Sequence, residues 1–147
     1  MAAAHPEPAR VWAEWAERRA ALVPAGRRWD AVVLPVTLYQ QVAEAAPAVL
    51  AGVPVVADRR TELYYVLVPP GRGAAVVAGV PGVSARGVGA WVAVRDPGVG
   101  RVRGARVGVW VQPPGRGGRL ADPVELRRAL VAVCLGPASA PAAGARR

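Results

Sequence analysis

Residues able to make and break bonds are scarce in this chain, and their spacing keeps them apart. His5 is the only histidine, Cys134 the only cysteine, and Ser84 and Ser139 the only serines. A metal centre needs converging His, Cys, Asp or Glu side chains. A nucleophile needs a base within hydrogen-bond reach. Neither arrangement can be assembled here, and Cys134, on an expected helix, reads as a small buried thiol. The carboxylates Asp30, Asp58, Glu62 and Asp96 include no pair at i,i+2 on one strand, the spacing that aims two of them at one metal. Asp58 and Asp96 read as turn residues and Glu62 as a cross-strand partner of an arginine. The chain has no lysine, so it has no Gly-x-x-x-x-Gly-Lys loop, and residues 115–118 lack the strand-loop-helix setting of a phosphate loop. The sequence therefore points away from an enzyme: no catalytic residue, no metal ligand and no cofactor is expected.

What remains is aromatic side chains and arginines. Alternation along two expected strands puts Trp91 with Arg95, and Trp110 with Arg106 and Gln112; Tyr64 or Tyr65 on the preceding strand would join them. A sheet face of this kind stacks single-stranded bases at ~1–3 kcal/mol each if left uncovered. Arg72 and Arg116, with Arg101 and Arg103, would reach phosphates from loops. The competing reading is that the rings are core, or lie under the helix carrying Trp12 and Trp15, and that the loop arginines are merely solvated. All 19 basic residues are arginine and the formal net charge is +9. A GC-rich coding sequence explains the choice of arginine over lysine. It does not explain the excess over acidic residues, which is a hint of a polyanionic partner.

These residues need elements to position them. With 147 residues and a 53% hydrophobic fraction the chain can bury a real core and is not intrinsically disordered. No apolar run approaches the ~18–20 residues that span a bilayer. No basic start with an apolar core opens the chain, so no leader and no membrane partner are expected. A lone cysteine then makes the cytoplasm the default location.

Residues 1–6 read as a disordered tail, residues 7–136 as one α+β domain, and residues 137–147 as a disordered Ala/Pro/Arg tail. Pro8 opens a helix to about Val23, with Glu14 and Arg18 paired at i,i+4. Residues 29–35 form a two-face-buried strand. Thr37 and Gln40 have capping-box spacing for a second helix, which Pro47 kinks or divides and Gly52 closes. Residues 53–57 and the strand from Glu62 make a hairpin. Residues 72–89 hold either a short helix near 74–78 or a mobile flap. Residues 90–95 and 106–112 are the last strands. Asp122 caps a final helix that Gly136 and Pro137 end. The order α-β-α-β-β-β-β-α predicts a mostly antiparallel five-stranded sheet with helices packed mainly on one face. Pro-Pro-Gly-Arg-Gly stands at residues 69–73 and again at 113–117. If the last three strands form a meander, both loops leave one end of the sheet.

Trp12 and Trp15, residues 26–32 (Gly-Arg-Arg-Trp-Asp-Ala-Val), 54–58 (Pro-Val-Val-Ala-Asp), 64–71, 109–114 and 120–130 stand in an order that resembles small proteins of high-GC bacteria grouped with the N-terminal domain of bifunctional DNA primase/polymerases. The resemblance covers most of residues 11–133. It implies an RRM-like α+β sheet; members of the wider class hold metal through a strand-borne acidic pair with a basic residue or histidine nearby, and this chain has neither the pair nor that histidine. Three readings follow. One is a non-catalytic module binding single-stranded nucleic acid through Tyr64, Trp91, Trp110, Arg72, Arg95, Arg106 and Arg116. The second is a protein-interaction or regulatory module with no nucleic-acid role, using residues 72–89 and a sheet edge. The third is a small-ligand protein with a cleft between the two Pro-Pro-Gly-Arg-Gly loops.

Overall fold

The apolar stretch Asp-Ala-Val-Val-Leu-Pro becomes a strand buried on both faces, and the rest of the sheet is laid against it. In a computed structural model, which describes residues 1–2 and 5–136, the elements run α1 (Pro8–Ala16), β1 (Ala21–Pro24), β2 (Asp30–Pro35), α2 (Val36–Ala45), α3 (Pro47–Leu50), β3 (Val55–Asp58), β4 (Leu63–Val68), α4 (Gly73–Val77), β5 (Ser84–Arg86), β6 (Trp91–Val94), β7 (Val109–Gln112) and α5 (Pro123–Cys134). Five strands form a wholly antiparallel sheet in the order β5-β2-β4-β3-β7, and β1 pairs with β6 in a separate two-stranded sheet.

Strand alternation divides the core in two. Val32, Leu34, Val55, Val66 and Val68 face Leu38 and Val42 of α2, Leu50 of α3, Val76 of α4, and Leu126 and Leu130 of α5. Ala31, Val56 and Leu67 face the other way, toward Val11 and Trp15 of α1, Val23 of β1, and Val92 and Val94 of β6. Four of the five helices among the described residues thus share one side, as the sequence pattern implies. The expected α+β class and five-stranded antiparallel sheet are both found.

Several details differ from the sequence reading, each for a local or pairing reason. The first helix stops at Ala16, because Arg18 takes a left-handed conformation (φ 60°) and Ala21–Pro24 continue as β1. Arg19 therefore replaces Arg18 as the partner of Glu14, at 3.1 Å, and also meets Glu17 at 2.8 Å. Of the two alternatives for residues 72–89 the short helix is found, as α4, and the flap is not; the unforeseen part is β5, an edge strand registered on β2. β6 leaves the main sheet for β1, and β7 takes its place beside β3. At the N-terminus Ala2 and His5 are buried where a tail is expected. The expected tail at 137–147 lies outside the described residues.

β4 and β7 both run antiparallel to β3, one on each side of it, so they point the same way. No meander exists, yet both Pro-Pro-Gly-Arg-Gly segments leave from the same end of the sheet, two strand spacings or roughly 10 Å apart.

Candidate nucleic-acid interface

The residues expected to share one stacking face do not share it. Tyr64 lies on the helix-covered side, its ring edge-on to Tyr39 with centroids 4.8 Å apart. Burial, and then the neighbouring Tyr64, pushes the Tyr39 hydroxyl above the ordinary tyrosine range. Trp91 stands on β6, 47% exposed, with its ring 5.4 Å from that of His5. Arg72 and Arg116 are exposed at the end of the sheet where β4 and β7 finish. Arg72 borders a groove between α4 and α5 in which Arg128 is paired with Glu125 at 2.6 Å and Arg127 donates through Nη1 to the Ala78, Val76 and Ala75 carbonyls at 2.6, 3.1 and 3.3 Å.

Three of the expected residues do come together at the opposite end: Arg95, Arg106 and Trp110. Their roles differ. Arg95 donates from Nε to the Val107 carbonyl (2.9 Å) and from Nη1 to the Arg18 carbonyl (2.6 Å), so its guanidinium ties the segment after α1 to the segment entering β7 while its other N–H donors remain on the groove wall. Trp110 donates its indole N–H to the Arg95 carbonyl at 2.7 Å. Trp15 does the same to Val94, at 3.0 Å. Both indole nitrogens are spent, and both rings line a groove of about 260 Å³ whose other walls are chiefly Pro97, Val99, Val102, Val109, Val111 and Pro113.

Beside this groove lies an open concavity of about 610 Å³ carrying Arg59, Arg101, Arg103 and Arg106 and no carboxylate. The two share Arg101, Val102, Ala105 and Val109 as a common wall. The fold brings the four arginines together by pairing. The turn after β3 reaches the segment entering β7 through a bond from the Arg59 amide to the Arg106 carbonyl at 2.7 Å. The next residue, Arg60, is neutralised by Asp58, with Nη2 3.3 Å from Oδ2 and Nε 3.3 Å from Oδ1. Burial alone would raise the Asp58 carboxyl. The Arg60 hydrogen bonds and charge, with Thr61, outweigh it and hold the group below the usual carboxylate range. Among the described residues, Arg59, Arg101, Arg103 and Arg106 make no salt bridge. Unpaired guanidiniums collected in a concavity are geometrically suited to phosphate oxygens.

Sequence reasoning singles out Arg101, Arg103, Arg106 and Trp110, and gives Trp15 a surface to cover, which it finds, whereas Trp12 stays 58% exposed; it misses Arg59. The signal for Arg59 was present: a hairpin turn after β3 must sit at the end of the sheet where a strand antiparallel to β3 begins. Among the described residues no group of three or more His, Cys, Asp or Glu is placed to hold a metal ion. Asp30 is buried; Oδ2 accepts the Gly73 amide at 3.0 Å, tying the first Pro-Pro-Gly-Arg-Gly loop to β2, while Oδ1 has no hydrogen-bond partner among the described residues. No described helix is long and apolar enough to cross a membrane. Comparison with protein-family models, curated proteins and solved structures gives no match to this chain.

Proposed function

We propose that this protein is a non-catalytic cytoplasmic module that binds single-stranded nucleic acid along the rim made by the turn after β3 and the segment between β6 and β7. The observation that carries this reading is the shared wall between an acid-free concavity of four arginines and a groove that holds Trp110 and Trp15 among aliphatic side chains with Arg18, Arg19, Arg95, Arg101 and Asp96 at its edges. Phosphates occupy the first and an unstacked base the second, the division of labour expected of sequence-tolerant single-strand binding. The resemblance to the N-terminal domain of primase/polymerases supports the same reading at the level of fold; with no strand-borne acidic pair, the chain would be a degenerate member without polymerase activity.

The test is fluorescence anisotropy of a labelled single strand titrated with the full chain across a salt series. Binding is expected at low salt and weakens steeply as salt rises, because bound counterions are released. Arg103→Ala and Arg106→Ala each weaken it. Binding indifferent to salt, or none at low salt, overturns the proposal. A second reading, a protein-interaction module, draws on Leu22 and Trp91, which stand 59% and 47% exposed on β1 and β6. Capture of one defined protein that survives nuclease treatment, with no affinity for single strands, favours that reading instead.

A further inference from the structure

The groove beside the arginines has a short list of unspent polar side chains. Both indole N–H groups and the Arg95 guanidinium are bonded to backbone carbonyls. Arg19 is paired with Glu14 and Glu17. That leaves Arg18, Arg101, the remaining N–H donors of Arg95 and one carboxylate, Asp96. Arg101 also lines the phosphate concavity. Asp96 is half-buried, and its Oδ1 accepts the Gly98 amide at 2.9 Å, which fixes the carboxylate on a tight turn. Among the described residues Oδ2 has no hydrogen-bond partner, and no cation lies within salt-bridge distance of the group.

We infer, resting on the nucleic-acid reading above, that this groove selects guanine, with the Asp96 carboxylate accepting from its Watson–Crick edge. An ionised carboxylate is acceptor-only, with several lone pairs on two oxygens. Guanine is the base that offers two adjacent donors on that edge, N1–H and the N2 amino group, matched to those oxygens. Adenine and cytosine offer one amino group beside a ring-nitrogen acceptor, which the carboxylate repels. Thymine and uracil offer one N–H between two carbonyls. A single strand leaves these edges free to be read. The base lies against the Trp110 and Trp15 side of the groove while its phosphate meets Arg101, so one residue sets base identity and others supply affinity.

The 147-residue chain is titrated at low salt into short oligo-thymidine strands that carry one central guanine, adenine or cytosine, or none. The guanine strand is expected to bind about fivefold tighter or more, the span of a good two-point base contact. Asp96→Asn keeps an oxygen for the Gly98 amide but replaces the second acceptor with a donor. It is expected to bind all four strands alike, with an unchanged thermal unfolding midpoint as the check on folding. Equal binding of the four strands by the unaltered protein overturns the inference and leaves the arginine rim standing. A guanine preference that survives Asp96→Asn also overturns it. Absence of binding to every strand removes the rim reading itself, and the base preference falls with it. The four-strand comparison stands even if the variant does not fold.

Discussion

At the scale of single residues, the chain shows how little a residue's type says until its partners are known. Arg95 and Arg101 look equivalent in sequence, each near an aromatic or a turn. One is fixed in orientation by the Val107 and Arg18 carbonyls, the other is exposed and makes no such bond among the described residues. The same contrast separates Arg59 from Arg60, since Asp58 claims only the second. The Asp58–Arg60 pair gives a direct measurement. Burial raises the Asp58 carboxyl, and hydrogen bonds from the Arg60 side chain and amide, its charge, and Thr61 bring the group to a net depressed value. A depressed carboxyl stabilises the fold above its unfolded value, and that contribution is lost as pH falls through the folded one. Arg60 is 61% exposed, so the pair is worth little in stability and is better followed by titration. In Arg60→Ala the backbone amide remains, but the side-chain bonds and charge go. The Asp58 carboxyl, followed by NMR, should then titrate at higher pH than in the unaltered protein. An identical titration in the two proteins would show that Arg60 does not hold it.

Among the elements, those specified by neighbouring residues were legible and those specified by distant pairing were not. Asp122, Pro123 and Glu125 announce α5 locally, and the Asp122 carboxylate does accept the Val124 and Glu125 amides at 2.9 and 3.0 Å. Pro47 likewise divides α2 from α3. Alternation in Trp91–Val94, by contrast, suits a place beside either β1 or β7, and nothing within those four residues chooses. Close backbone approach then holds these strands where they lie. Gly108, at φ 66°, lets the start of β7 come so near β6 that a Cβ there would stand 2.8 Å from the Ala93 carbonyl oxygen. Gly26, at φ 87°, does the same under Val88, where a Cβ would lie 2.4 Å from the Val88 nitrogen. Both obstacles are backbone, which cannot swing aside as a side chain would. Gly108→Ala is therefore expected to lower unfolding free energy by about 1–3 kcal/mol from the left-handed conformation alone, and further through the clash. Chemical denaturation checks this; a loss below ~0.5 kcal/mol would mean that β6 and β7 separate freely.

For the whole molecule, the arrangement of charge matters more than its sum. The +9 excess is readable from composition, but its division between two ends of a sheet is not, because that depends on β7 lying beside β3. One end carries Arg72 and Arg116 on glycine-rich loops, and the other carries Arg59, Arg101, Arg103 and Arg106 around one concavity. β3 separates these ends by four residues, about 13 Å of extended chain, which exceeds the ~8 Å screening length at physiological salt. The two ends should consequently act as separate fields, and only the one adjoining the tryptophan-lined groove should contribute to the proposed single-strand binding. A pair of double variants separates local geometry from bulk charge, since each removes two positive charges. Arg101→Ala with Arg103→Ala should reduce the slope of log affinity against log salt by about 0.7 per arginine removed. Arg72→Ala with Arg116→Ala should leave that slope nearly unchanged. If both pairs lower it equally, the strand is held by the diffuse field of the molecule or runs the length of the sheet, and the concavity loses its special place.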